Sequence, residues 1–485
     1  MDEGADLRAA AMRRVDHAVP LVVDLDGTLV FSDLLLESIF ILAKERPLDL
    51  LRLPFWLAQG RAQLKQRLAR LVRPEAPTLP YNRPLIDYLR AEKGRGRRLI
   101  LATAADAAVA CEIADEVGLF DAVYASDGVT NLIGTCKRKR LVAEFGIGGF
   151  DYAGNDSRDL PVWSAARKAM LVQPSRALHE TVSEAYEVER VFEQEGTEGS
   201  LRRALRMEHW FKNVLVFLPI LAAHRLYEVS ALLHGLAAFV AFCLCASSVY
   251  LTNDLLDLPN DRRHPYKKER PLASGRLPIS RALIAIPLLL VGAVGASLAN
   301  PPAMLGILGA YWVLMLAYCL RFRDIAVIDV LVLAGGYALR VMAGSAAIGL
   351  EAVPWLVVIS CVLFFFGLAL LKRYAELVAM RSLAGPKARA RGYLARFLGP
   401  LALIGCASGY LSVAIYAYQV DIDHKINPRY GLDWVICVLL VYWVTHIWLI
   451  VRRGQVVDDP VAFTLTDRAS QIVAAVAAVI VLIST

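Results

Sequence analysis

Two regimes of hydropathy divide the chain. Through roughly the first two hundred residues apolar and charged positions are interleaved, as in a soluble α/β domain, and from Trp210 onward long apolar runs dominate. The runs predict about nine membrane-spanning helices, starting near residues 211, 229, 280, 303, 325, 354, 398, 434 and 469. Several are short or carry glycine. In the first regime, VPLVVDLDGTLVFSD opens on an apolar run that predicts a buried strand. RLILATAAD predicts a second strand ending at Thr103, and residues 34–82 read as a mostly helical insertion. The acidic, polar stretch EAYEVERVFEQEGTEGS reads as a linker over 184–200. The expected architecture is multidomain: a Rossmann-like α/β domain with a helical cap over residues 1–183, then an all-α membrane bundle over 201–485.

Composition sharpens this division. At 485 residues and 57% hydrophobic, with a mean hydropathy of +0.47, most of the chain belongs in a membrane. The loops after the second, fourth, sixth and eighth spans hold many more Lys and Arg than the loops on the opposite side, which predicts that those loops and the amino-terminal domain face the cytoplasm. No basic start followed by an apolar core marks a secretory signal at the amino terminus. The +7 balance is explained by membrane topology, so nucleic acid is not an expected partner. Eight cysteines without a paired CxxC pattern, Cys243 and Cys245 among them inside an apolar run, read as packing residues.

Chemistry concentrates in NDLLDLPNDRRHPYKKERPLASG at 253–275, between two apolar segments. Asn253, Asp254, Asp257 and Asp261 recur at intervals of three to four, so a helix or its frayed end aims them roughly one way. Oxygen-only ligands favour a hard cation, and Mg²⁺ commonly bridges a few carboxylates to substrate phosphates. In the fifth span, Asp329, Tyr337 and Arg340 lie on roughly one helical face, where charges are costly unless they face a cavity or one another. The sixth span ends in Lys372, Arg373, Tyr374 and Glu376, at the head of a basic loop reaching residue 396.

NDxxDxxxD after the second span, the span count and a second polar loop after the sixth resemble the UbiA superfamily of intramembrane prenyltransferases, over roughly 200–485. The resemblance implies a diphosphate bound through Mg²⁺ on two acidic motifs, in a helical cavity open to the cytoplasm. This chain departs from it: basic KRYAEL stands where the second acidic motif is expected. One carboxylate cluster and one cationic cluster suit a Mg²⁺-diphosphate and a separate anionic group. HWFKNVLVF at 209–217, the acidic loop, DVLVLAGGYALRVMAG at 329–344 and LKRYAEL at 371–377 look like the polyprenyl-phosphate (decaprenyl-phosphate) phosphoribosyltransferase branch. That branch uses phosphoribosyl diphosphate as donor and a polyprenyl phosphate lipid as acceptor, giving a precursor of activated arabinose. By the resemblance, Asp254, Asp257 and Asp261 hold Mg²⁺, with Asn253 as a neutral ligand or orienter. Lys267 and Arg270 contact the donor phosphates, and Lys212, Lys372 and Arg373 are candidates for the lipid phosphate. Asp329, Tyr337 and Arg340 complete the substrate-binding candidates, the alternative being that Arg340 only neutralises Asp329.

In the soluble half, Asp24 and Asp26 stand at a strand end, where α/β domains bind ligands. Residues two apart on an extended chain point to one side, so both carboxylates can reach one phosphate. DxDGT, Thr103, Lys137 in NLIGTCKRKRL, and DYAGNDSRDLPVW at 151–163 together resemble the haloacid dehalogenase superfamily of Mg²⁺ phosphohydrolases, over roughly 20–175. The resemblance makes Asp24 the nucleophile, Asp26 the acid, Thr103 a phosphoryl ligand and Lys137 its neutralising cation. Asp24, Asp26 and Asp159 then hold Mg²⁺. The usual GDxxxD reads here Gly154-Asn155-Asp156-Ser157-Arg158-Asp159, so Asn155 fills the first carboxylate slot and Asp156 is the candidate substitute.

Fusion of the two halves points to sequential catalysis: phosphoribosyl transfer to the lipid, then removal of the product's 5-phosphate. Two alternatives stand beside it, a prenyltransferase using a prenyl diphosphate and a lipid carrier with a regulatory soluble domain. Homo-oligomer formation is left open.

Overall fold

A computed structural model describes residues 19–484 apart from 195, 224, 350–354, 385–388, 391–392, 427–432, 454–462 and 464–465. The amino-terminal residues that bear on a secretory signal, and Lys387 and Arg391 of the basic loop, lie outside the described residues. The chain divides into two compact units, residues 1–204 with 253–284, and residues 205–252 with 285–485. The acidic loop thus belongs to the same unit as the α/β domain.

Six parallel strands form the sheet of the first unit: β1 (Leu21–Val23), β2 (Leu99–Asp106), β3 (Ala122–Ser126), β4 (Asp151–Gly154), β5 (Ala169–Val172) and β6 (Val188–Phe192), in the order β3-β2-β1-β4-β5-β6. β1 is central and wholly buried, with Val22 opposite Ile100 on one side and Tyr152 on the other. A strand covered on both faces reads as an unbroken apolar run, and Leu-Val-Val is one. Strand order reverses between β1 and β4, and the loops after those strands are where such sheets place ligands. β2 runs past Thr103 to Asp106, with a register shift against β3 between Ala102 and Asp106. β6 occupies part of the stretch expected to be linker; its apolar Val188, Val191 and Phe192 pair it to β5, while Glu189 and Arg190 stay exposed, as suits an edge strand.

The insertion after β1 is helical as expected. Helix α1 (Leu34–Glu45) is capped by Asp33, whose Oδ1 accepts from Leu36 N at 3.0 Å. It packs with α2 (Arg61–Leu71) through Leu42, Trp56, Leu64, Leu68 and Val72. Helices α3 (Arg83–Gly94), α4 (Ala107–Val117), α5 (Thr135–Phe145) and α6 (Arg176–Ala185) cover the sheet. Beneath them Arg97 is buried between Glu92 and Asp151.

The second unit is helical. Helices α7 (Val229–Leu256), α8 (Ile279–Ser297), α9 (Pro302–Leu320), α10 (Ile328–Ala347), α11 (Trp355–Ala384), α12 (Leu398–Ile426) and α13 (Asp433–Arg452) are the seven among the described residues that are long and apolar enough to cross a membrane. The last four residues of α7 and the start of α8 fall in the first unit. The ninth expected span is the shorter α14 (Arg468–Ser484). The first differs from expectation: Met207–Phe217 is a 3₁₀ run, followed by a short helix at Leu218–Ala222. Lys212 and Asn213 interrupt the apolar pattern, and Asn213 is buried against α7 and α10 instead of facing lipid. Gly344 of α10 lies so close to the Val216 carbonyl that a Cβ there would collide with it.

Candidate functional site

At the carboxyl end of β1, the Lys137 ammonium donates to Asp24 Oδ1 at 2.7 Å and lies 3.7 Å from Asp159 Oδ1. Tyr152, on β4, closes the group: its hydroxyl accepts from Lys137 at 2.8 Å and donates to Asp159 Oδ1 at 2.8 Å. Burial opposes the charge on Lys137, but Asp24 and Asp159 outweigh it and hold the ammonium pKa above its ordinary value. Asp26 Oδ1 accepts the Leu34 amide of α1 at 2.9 Å. Burial, with Asp33 adding to it, pushes its carboxyl up to about 7, which suits a proton donor near neutrality. Thr103 is fully buried in β2, its hydroxyl accepting from Ala105 N at 3.0 Å.

The last motif is rearranged around its asparagine. Asn155 Oδ1 accepts from Thr28 at 3.3 Å, and the side chain sits against Gly27, where a Cβ would collide with it. Asp159 Oδ2 accepts from the Asn155 and Asp156 amides, which turns Asp159 inward. Asp156 instead accepts from the Arg158 guanidinium at 2.7 Å and 3.1 Å and caps the 3₁₀ turn at Ser157–Asp159. The structure therefore brings Asp24, Lys137 and Asp159 together and engages Asp156 with Arg158.

In the acidic loop, Asn253 and Asp254 lie on the last turn of α7, Asp257 at the junction, and Asp261 in the short helix Leu258–Arg263. The helical spacing read from the sequence is kept: Asp257 N donates to Asn253 O and Asp261 N to Asp257 O. All three aspartates are buried. Arg270 Nη1 bridges Asp254 Oδ1 at 3.3 Å and Asp261 Oδ2 at 2.7 Å, while Lys44 donates to Asp257 Oδ1 at 2.7 Å. Burial lifts the Asp261 carboxyl above its usual range even with Arg270 beside it. Lys267 opens the 3₁₀ turn Lys267–Glu269.

Among the described residues, no three His, Cys, Asp or Glu side chains converge as a ready-made metal cage. Both acidic sets instead offer oxygen atoms close to cations. Mg²⁺, which retains water and often takes one or two carboxylates together with a substrate phosphate, fits such a donor set.

The membrane unit separates the residues of the fifth and sixth spans into two groups. Arg373 of α11 and Asp329 of α10 form an ion pair with both side chains wholly buried. Tyr393 donates to Asp329 Oδ1 at 2.8 Å, and Arg373 Nη1 donates to Glu376 at 2.6 Å. Lys372 precedes Arg373 on α11 and is half-buried. Asp329 is neutralised by Arg373, which removes the alternative that pairs it with Arg340. Arg340 has neutral partners: it donates to Asn213 Oδ1 at 2.7 Å, Gly336 O at 2.7 Å and the Tyr311 hydroxyl at 2.9 Å. The Tyr311 and Tyr337 rings flank its guanidinium, and Tyr337 stacks on Phe365. Lys212 lies near the Phe211 ring in the 3₁₀ run.

Sequence reading missed Tyr152, Lys65, Lys44, Asn213 and Tyr311. Lys65 of α2 donates to Ala104 O at 2.6 Å and lines the pocket beside Asp26 with Leu34, Leu68 and Asp106. Tyr152 stands inside the DYAGND motif, and Asn213 inside HWFKNVLVF, so their motif positions were the available signal.

Apolar helices long enough to span a bilayer, an acidic loop lined by cations and a parallel-sheet α/β unit make up a multi-pass membrane protein. The UbiA prenyltransferase family model matches residues 214–466. The chain belongs to the UbiA prenyltransferase family. It is 35% identical over 472 residues to an uncharacterized protein, y4nM, of Sinorhizobium fredii, covering 96% of this chain and 90% of that protein. It is 33% identical over 241 residues to a decaprenyl-phosphate phosphoribosyltransferase of Corynebacterium glutamicum, covering 48% of this chain and 72% of that one. The α/β half is similar to a HAD family hydrolase of Salmonella enterica serovar Typhi, at TM-score 0.27 and 12% identity, covering 37% of this chain and 74% of that one.

Proposed function

We propose that the protein transfers a 5-phosphoribosyl group from phosphoribosyl diphosphate to a polyprenyl phosphate, with Mg²⁺, at the cytoplasmic face of the bacterial inner membrane. The observation that carries this reading is the chemistry of the polar groups. An oxygen-rich loop with Arg270 laid across Asp254 and Asp261 suits a metal-bound diphosphate, and a separate buried cation, Arg340, lacks a carboxylate partner among the described residues. The similarity to a decaprenyl-phosphate phosphoribosyltransferase supports transfer of a phosphoribosyl group to a polyprenyl phosphate. Asp254, Asp257 and Asp261 would hold the metal, with Asn253 orienting. Mg²⁺ supplies charge neutralisation of the departing pyrophosphate. Arg270 and Lys267 bind donor phosphates and stabilise the charge that grows on the leaving group. The lipid phosphate is anionic at neutral pH and needs no general base, so positioning and electrostatics carry the transfer. Lys212, Lys372 and Arg340 are its candidate partners; Arg373 serves by fixing Asp329 and Glu376.

In the α/β domain, Asp24 attacks the phosphorus of the product's 5-phosphate, Asp26 protonates the departing ribose oxygen, and Lys137 balances the charge. Asp24 and Asp159, with Asn155 beside them, would hold the metal there. The test is incubation of the purified protein with Mg²⁺, labelled phosphoribosyl diphosphate and a polyprenyl phosphate. Label in the lipid fraction, with its terminal phosphate lost only when Asp24 is intact, is the expected result. No label, and transfer instead from a labelled prenyl diphosphate, would replace this reading by prenyl transfer.

A further inference from the structure

Helix α1 begins at one acidic site and ends at the other. Its first amide, Leu34 N, binds Asp26 Oδ1. Ten residues on, roughly 15 Å along the axis, Lys44 Nζ lies 2.7 Å from Asp257 Oδ1. Neither the DxDGT motif nor NDxxDxxxD requires that contact. It is nevertheless held by a built surface. Glu37, between the two ends, forms a buried two-pronged pair with Arg262, whose Nε also donates to Ala273 O at 3.1 Å. At the periphery Arg263 Nε donates to Glu75 at 2.9 Å. Gly275, at φ +75°, lies so near Phe31 that a Cβ would stand 2.5 Å from it, and that backbone conformation also favours glycine.

The three aspartates of the loop therefore meet cations from two origins. Arg270, from the loop itself, covers Asp254 and Asp261; Lys44, from the α/β domain, covers Asp257. We propose that Lys44 is a diphosphate-binding residue of the acidic-loop site, so that this site is incomplete without the α/β domain. The inference rests on the reading of the loop as a Mg²⁺-diphosphate site. A dication arriving at Asp257 repels an ammonium on the same carboxylate unless a polyanion arrives with it. Diphosphate held over these carboxylates through the metal is that polyanion. Lys44 sits in the last turn of α1 on a flexible stem, with its side chain 20% exposed against 9% for Asp257. It can turn from carboxylate to phosphate without moving the helix, and its three donors suit phosphate oxygens. A lysine that merely plugged Asp257 would have the opposite effect, since its removal would free the carboxylate for metal.

The experiment is calorimetric titration of pyrophosphate, at saturating Mg²⁺, into the full-length protein in detergent. Wild type, Lys44→Ala, Lys44→Arg and Asp254→Asn are compared, with thermal unfolding run on each. We expect Lys44→Ala to bind about tenfold more weakly, the worth of one charge-assisted hydrogen bond, and Lys44→Arg to recover most of that loss. Binding that vanishes in Asp254→Asn but is unchanged or tighter in Lys44→Ala would overturn the role of Lys44 alone. Pyrophosphate binding that is absent from wild type, or unaffected by Asp254→Asn, would overturn the loop reading and the inference with it. Should Lys44→Ala unfold at a lower temperature, Lys44→Met, which keeps the stem, replaces it and the same criteria apply.

Discussion

Arg373 and Asp329 face each other from α11 and α10 with neither side chain reaching solvent. Arg373 also pairs with Glu376, so it is the buried Asp329 carboxylate that loses its cation when Arg373 is removed, which typically costs about 3–5 kcal/mol, whereas replacing both with neutral groups costs far less. Arg373→Gln is expected to lower the unfolding temperature in detergent and the yield of monodisperse protein, and Arg373→Gln with Asp329→Asn to restore much of both. Equal stability of the single and double variants would show that the pair is not what holds these helices.

Arg340 is the contrasting case, a buried guanidinium whose partners are neutral. Arg340→Gln strands no acid, so the fold should survive it, while the apparent KM for polyprenyl phosphate rises about tenfold. Kinetics with graded lipid concentrations separate this from a loss of turnover, and an unchanged KM would remove Arg340 from the acceptor site.

The proposed hydrolysis takes its proton from Asp26, whose carboxyl burial lifts to about 7. Asp26→Asn should reduce hydrolysis of a phosphate monoester by about 10²–10⁴-fold, and Asp24→Asn should reduce it to background. The readout is phosphate release from p-nitrophenyl phosphate by the full-length protein. Hydrolysis that survives Asp24→Asn would exclude an aspartyl-phosphate route.

Asn155, beside Gly27 and Thr28, stands where the resemblance to haloacid dehalogenases leads one to expect a carboxylate. Asn155→Asp adds a charge to the candidate metal site without adding bulk. The Mg²⁺ concentration giving half-maximal phosphatase activity should fall about tenfold, the order expected for one added carboxylate interaction. An unchanged requirement would place the metal away from this position.

The sequence was most legible where one pattern had one structural meaning. Leu21–Val23, the aspartates after it and the spacing of Asp254, Asp257 and Asp261 each reappear in the expected element. Met207–Phe217 was harder, because an apolar run of that length does not distinguish a span from a segment packed under other helices, and Asn213 decides it through its contacts with Cys243 and Arg340. Val188–Phe192 looked like linker because an edge strand needs only a few apolar positions. Lys44 and Glu37 could not be found at all. Each is an ordinary charge on an amphipathic helix, and its partner lies more than two hundred residues away.

That separation has a consequence in time. Glu37 and Arg262 are 225 positions apart, and at about 5–20 residues per second a ribosome needs roughly 11–45 s to travel from one to the other. The six strands have all been synthesised before Arg262 exists, and the whole of α7 is made in between. The flank of α1 that receives the loop must therefore wait, uncovered, while the nascent chain is being threaded into lipid. Completion of the first unit is scheduled by synthesis of α7, and a chain arrested before Arg262 would present a finished sheet with an open side to chaperones and proteases.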